Sequence, residues 1–187
     1  MEAAAVLKQL CGLLEAGDTP AAVDLLRTHY PAPLAQTARR GWPPARAMTI
    51  FLRDGFTDRY SNTPLVFPGT LRAISLLLPE DFPYQRNWRQ SETHAAFWEL
   101  YPTIDHVVPL ARGGADSADN VVTTSMLRNA AKANWTLEEL GWSVSLAPPG
   151  EKWDGLLPWF LVAYEKFQAL RDDPGTRSWH KVAAHAT

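Results

Sequence analysis

Ile104-Asp105-His106-Val107-Val108-Pro109-Leu110-Ala111-Arg112-Gly113-Gly114 is followed by Asp119-Asn120-Val121-Val122 and then by Arg128-Asn129-Ala130-Ala131-Lys132. An acid stands beside a histidine at the end of an apolar, β-branched run that reads as a strand over Thr103–Val108. Pro109–Asp119 reads as a glycine-turned loop and Asn120–Thr124 as a second short strand. A helix then starts at Thr124 or Ser125 and runs to about Asn134, with Asn129 and Lys132 on one side. Carboxylate, imidazole, amide and ammonium in this order suit metal-assisted phosphodiester cleavage. That reaction needs a deprotonated water, neutralised charge on the phosphoryl oxygens and help for the departing alkoxide. A histidine is available as a base near neutral pH. Asp105 and Asn129 are hard oxygen donors for a divalent ion. Adjacent strand residues point to opposite faces, which lets Asp105 and His106 serve metal and water separately.

Working outward, the chain has 187 residues, the size of one domain with a helical appendage, and 46% of them are apolar. The formal charge of −2 gives no global attraction to nucleic acid, but a local basic face is what binds phosphates. The single cysteine, Cys11, excludes an internal disulfide and a cysteine-based zinc site, and a reducing, cytoplasmic setting is the default. Met1–Lys8 lacks a signal-peptide pattern, and the apolar run Leu71–Leu78 is too short to span a bilayer.

Val6, Leu7, Leu10, Leu13 and Leu14 predict a helix over 2–16 closed by Gly17. Thr19 as N-cap with Pro20 behind it opens a second helix to about Tyr30. The two form a hairpin, and the proline-rich stretch 31–44 is a linker whose Arg39-Arg40 pair reads as solvated. Further helices are expected over 44–53, 68–78 and 92–100, the last capped by Ser91. Thr136 with Glu139 makes a capping box for a short helix ending at Gly141. Asp154 caps a last long helix through about Leu170.

Residues 103–134 resemble the HNH endonuclease motif, the ββα-metal nuclease fold, through D-H-x-x-P-x-x-x-G-G, a middle asparagine and a final N-x-x-K. The resemblance implies that His106 is the general base and that Asp105 and Asn129 bind the metal. It implies that Asn120 ties the loop between the strands and that Lys132 is the basic residue after the last ligand. The separation of His106 from Asn129 is similar to that in the HNH domain of the RNA-guided CRISPR nucleases. Many members carry two C-x-x-C pairs around a structural zinc. Here Arg53-Asp54-Gly55 aligns with their start, and the four cysteine positions fall on Asp58, Ser61, Ser125 and Arg128. No structural zinc is expected. Helices around 68–78 and 92–100, with Trp88 and Trp98, are expected to replace that clip by hydrophobic packing.

The plain alternatives are a capped strand end for Asp105-His106, a solvated amide for Asn129 and a solvated ammonium for Lys132. Arg112, Arg128 and Lys132 are the candidate nucleic-acid contacts; Arg128 has the alternative of pairing with an acid. Asp58, His94 and Glu99 read as structural, and the eight tryptophans read mainly as core, with Trp135 anchoring the motif helix.

The expected class is α+β, a mainly helical domain enclosing a ββα-metal (HNH) motif. Residues 1–40 form the N-terminal helical hairpin and linker. Residues 41–187 form the nuclease domain, with motif core 103–134 and C-terminal helices. The expected function is metal-dependent hydrolysis of DNA with one Mg²⁺ or Mn²⁺ (or another divalent ion); the residues do not separate DNA from RNA. The rivals are a catalytically weak or inactive DNA-binding module of the same fold, and a nuclease subunit of a larger complex. Residues 2–30 are the candidate surface for self-association or a protein partner, and no membrane association is expected.

Overall fold

The computed structural model describes residues 3–29, 42–145 and 153–185. It is mixed helix and strand, mostly helical, with one two-stranded sheet. The chain divides into two compact units, Met1–Arg39 and Arg40–Thr187. In the first, α1 (Ala3–Glu15) and α2 (Thr19–His29) pack on each other, with Val6 and Ala22 buried. Gly17 takes the left-handed conformation (φ +76°) that closes α1. The cap of α2 is Asp18 and not Thr19: its Oδ1 accepts from the Ala21 amide at 3.1 Å. The expected linker and its Arg39-Arg40 pair lie almost wholly outside the described residues.

The second unit opens with α3 (Pro44–Arg53), started by a proline whose missing N–H costs nothing at the first turn. Next come α4 (Pro68–Leu77), a 3₁₀ turn at Gln90–Glu92 and the short α5 (Ala96–Leu100). The single helix expected over 92–100 is thus two pieces. Strand β1 (Pro102–His106) pairs antiparallel with β2 (Val121–Ser125), Ile104 opposite Thr123 and His106 opposite Val121. Helix α6 (Met126–Lys132) follows at once, capped by Ser125 Oγ accepting from the Arg128 amide at 3.2 Å. The Thr136/Glu139 capping box opens α7 (Leu137–Leu140). The expected long last helix splits at Phe167, whose extended backbone (φ −108°, ψ 117°) separates α8 (Leu157–Lys166) from α9 (Gln168–Asp172). Asp173 then caps α10 (Pro174–Ala184). No helix among the described residues is long and apolar enough to cross a membrane.

The core lies between α3, α4, α8, α9 and α10, built from Met48, Phe51, Phe56, Phe67, Phe160 and Leu170. Phe67 is its hub, with ring centroids 5.2 Å from Phe160 and 5.4 Å from Trp179. Trp88 and Trp98 sit in a second cluster around Phe97, Tyr84 and Tyr101. Trp42, Trp88, Trp153 and Trp179 pack, partly buried, against the core clusters, in line with the expectation, whereas Trp135 and Trp159 are exposed and depart from it. Trp135 follows a helix already anchored by polar bonds and stands 51% exposed.

Residues 53–59 satisfy four backbone groups on the outer edge of β2. Arg53 Nη2 donates to Val121 O (2.7 Å), and the Thr123 amide donates to Asp54 Oδ2 (2.8 Å). The Arg59 amide donates to Thr123 O (2.9 Å), and the Ser125 amide to Asp58 Oδ2 (3.0 Å). Asp54 also accepts from Arg53 Nε and Arg59 Nη1 at 2.9 and 2.8 Å. Burial by itself pushes the Asp54 carboxyl up. Hydrogen bonds from Arg53 and the Thr123 amide, with the Arg53 charge, outweigh it and hold the group below the usual carboxylate range.

A carboxyl whose folded pKa lies below its unfolded value adds stability above the unfolded pKa and loses it as pH falls through the folded one. The wild type is therefore expected to lose stability as pH falls through and below the usual carboxylate range. Asp54→Asn should be less stable at neutral pH by about 1–3 kcal/mol and flatter across that acid window. Urea titrations at several pH values check both.

Candidate metal and phosphodiester site

The site grows from the other edge of the hairpin. The carbonyls of Ile104 and His106 face away from β2, and α6 lies across them. Asn129 Nδ2 donates to Ile104 O (3.2 Å) and to Thr103 Oγ1 (3.0 Å). Lys132 Nζ, three residues on, donates to His106 O (2.7 Å). The i, i+3 spacing on α6 matches the two-residue repeat of outward carbonyls on β1. Between those carbonyls stands Asp105, whose side chain is buried and whose Oδ2 pairs with Lys132 Nζ at 2.9 Å. Lys132 thus meets the Asp105 carboxylate and the His106 backbone, while Asn129 meets the strand at Thr103 and Ile104.

Tyr60, which no sequence pattern singled out, completes the Asp105 environment. Its hydroxyl donates to Asp105 Oδ2 at 2.6 Å, and its ring packs against Trp142. Burial, then the Asp105 charge and hydrogen bond, push the Tyr60 phenol far up, so it stays a donor. His106 Nε2 lies 3.0 Å from Asp116 Oδ1, a second residue that the motif reading missed. Asn120 is the loop tie its position implied. Its Oδ1 accepts from the Val108 amide (2.9 Å), and its Nδ2 donates to Val108 O (2.9 Å) and Ala115 O (2.8 Å). Gly114 fits beneath this knot because a Cβ there would stand 1.9 Å from Val108 O.

Of the three basic residues expected to meet phosphate, one is turned away from solvent. Lys132 is fully buried and turned inward, so its assignment as a nucleic-acid contact is corrected: in this arrangement it bonds Asp105 and a strand carbonyl. Arg128 Nε stands 3.5 Å from Asp58 Oδ2, an ion pair too long for a good hydrogen bond, and its guanidinium lies over the Trp142 ring. Arg112 meets Glu139 at 3.2 Å on the surface. His94 stacks on Phe82, away from these residues in the second aromatic cluster.

The four positions aligned with zinc cysteines converge on one carboxylate. Asp58 accepts from the Ser61 and Ser125 amides (3.3 and 3.0 Å) and from Thr124 Oγ1 (3.0 Å), and it faces Arg128. The clip at these positions is therefore polar. The expected hydrophobic packing of the 68–77 and 96–100 helices with Trp88 does form, around Leu71 and Phe97, but the four positions themselves are joined by polar bonds.

Two oxygens of the expected ligand pair, Asp105 Oδ1 and Asn129 Oδ1, carry no hydrogen bond among the described residues. Hard oxygens of this kind fit Mg²⁺ or Mn²⁺, ions commonly held by one or two protein oxygens with waters and substrate phosphate. No group of three or more His, Cys, Asp or Glu side chains able to hold a metal occurs among the described residues. Any ion here must draw the rest of its shell from water and substrate. In comparisons with family models, curated proteins and solved structures, nothing matches this chain.

Removing one partner of a buried ion pair leaves the other charge uncompensated, at a cost of about 3–5 kcal/mol. Lys132→Met is expected to lose that much in urea unfolding. A loss under about 1 kcal/mol, the scale of an exposed pair, would show that the Asp105 pair contributes little.

Proposed function

We propose that this chain is a metal-dependent endonuclease of the HNH type that hydrolyses DNA phosphodiesters. The observation that carries the reading is the clamping of α6 onto β1. Asn129 and Lys132 bond the carbonyls on either side of Asp105, and Lys132 also meets its carboxylate, which supports reading strand and helix as one site. This proposal includes the ββα-metal assignment for residues 103–134.

Asp105 and Asn129 would hold the divalent ion. When bound, that ion neutralises charge building on the phosphoryl oxygens and on the departing 3′ oxygen. His106, on the partly exposed side of the strand end, takes a proton from the attacking water. Tyr60 and Lys132 fix the Asp105 carboxylate, and Lys132 balances its charge until a phosphate arrives. By family resemblance the products carry 5′ phosphate and 3′ hydroxyl.

Nicking of supercoiled plasmid with Mg²⁺ is the direct test. His106→Ala is expected to abolish cleavage while leaving DNA binding within about twofold, and chelation of the metal to stop turnover. Robust cleavage by His106→Ala would sink the mechanism. A second reading is a DNA-binding module of the same architecture without useful catalysis. It is favoured by one observation, the Lys132 ammonium already neutralising the only acidic ligand of the pair. Absence of nicking with Mg²⁺, Mn²⁺ and Ni²⁺ tested separately, with DNA binding retained, would select it.

A further inference from the structure

Asp116 lies ten residues beyond His106 along the chain, yet its Oδ1 comes within 3.0 Å of His106 Nε2. The return is built into the loop. Gly113 takes a left-handed turn (φ +86°), Gly114 passes against Val108 O where no side chain fits, and Asn120 Nδ2 holds Ala115 O immediately before Asp116. The contact with His106 is the only one the Asp116 side chain makes among the described residues. It is half-exposed, so as an ion pair it adds little to stability. A loop this constrained, delivering a carboxylate to one ring nitrogen, serves the ring.

We propose that Asp116 is the positioning residue for His106. An ionised carboxylate only accepts hydrogen bonds, so contact with a neutral imidazole requires the proton on Nε2. That leaves Nδ1, which has no hydrogen-bond partner among the described residues, as the lone pair that accepts a proton from water. The backbone of His106 is already fixed by Lys132 Nζ on its carbonyl and by pairing with Val121. Asp116 removes the remaining freedom, the ring's rotation and tautomer. The logic is that of any histidine base oriented by a carboxylate on its other nitrogen. On this view Asn120 and the two glycines act on the base through Asp116. The proposal rests on the nuclease reading for what Nδ1 does, and only on geometry for how the ring is held.

Long-range ¹H–¹⁵N spectra of the full-length chain at about pH 9, where neutral rings are read, report the tautomer of His106; the signals lost in His106→Ala assign it. The wild type is expected to hold the proton on Nε2. Asp116→Asn, whose amide N–H can donate to Nε2, is expected to move it to Nδ1. In plasmid cleavage the same variant should lose on the order of tenfold to a hundredfold in kcat, with KM for DNA within about twofold. Asp116→Glu should restore part of the rate and the Nε2 tautomer. A wild-type proton on Nδ1, or a tautomer indifferent to Asp116→Asn, overturns the proposal. If the tautomer follows Asp116 but the wild type cleaves nothing, the nuclease reading falls and the positioning of the ring stands.

Discussion

A two-stranded antiparallel sheet leaves half of its backbone groups on free edges, and alone it is marginal in water. This structure depends on how both edges of β1–β2 are closed. Along β2 the groups of Val121, Thr123 and Ser125 are taken up by Arg53, Asp54, Arg59 and Asp58. Along β1 the carbonyls of Ile104 and His106 are taken up by Asn129 and Lys132. Neither edge is covered by another strand. Apart from the Arg59 amide, side chains close them, and along β1 they carry charge and hydrogen-bonding capacity to Asp105 and the His106 carbonyl. The same bonds therefore hold the hairpin and assemble the candidate site.

That economy shapes the electrostatics. Asp105 is buried against one ammonium and one phenol, and His106 faces one carboxylate. Local charges are paired before any substrate arrives, in keeping with a chain whose formal charge is only −2. Arg112 and Arg128 are paired as well. On the proposed reading, attraction for a divalent ion comes largely from the phosphate, since the two protein oxygens with spare capacity share one already balanced charge. Asp58 follows the same rule. There one carboxylate gathers three amides, a hydroxyl and a guanidinium, a set that directs hydrogen bonds as a metal directs lone pairs.

Local elements were well legible. Proline at the first turn marked α3 and α4, β-branched runs marked both strands, and Thr136 with Glu139 marked α7. Each of these signals acts within a few residues. The Asp105, His106, Asn120, Asn129 grouping was legible because its spacing within one strand–loop–strand–helix unit constrains where the side chains can go. Tyr60 and Asp116 were not. Tyr60 reaches Asp105 across forty-five positions of sequence, and Asp116 depends on how tightly two glycines fold the loop. The direction of Lys132 was misread for a related reason. A lysine on a short helix is ordinarily solvated, and only the carbonyl and carboxylate waiting on β1 make its burial favourable. Trp135 was misread in the opposite sense, because the helix before it was already held by polar bonds.

The amino-acid order alone therefore specified most of the helices, the hairpin and the chemical kinds present at its end, because propensity, capping and spacing act locally; the breaks at 93–95 and at Phe167 it did not. Tertiary packing chose which of those groups meet. It turned Lys132 inward onto Asp105, brought Tyr60 from the 53–62 stretch, folded Asp116 back onto His106 and drew Thr124, Ser125 and Arg128 onto Asp58. Those choices follow from the cost of leaving edge carbonyls and buried charges without partners, a condition met only once the chain has closed on itself.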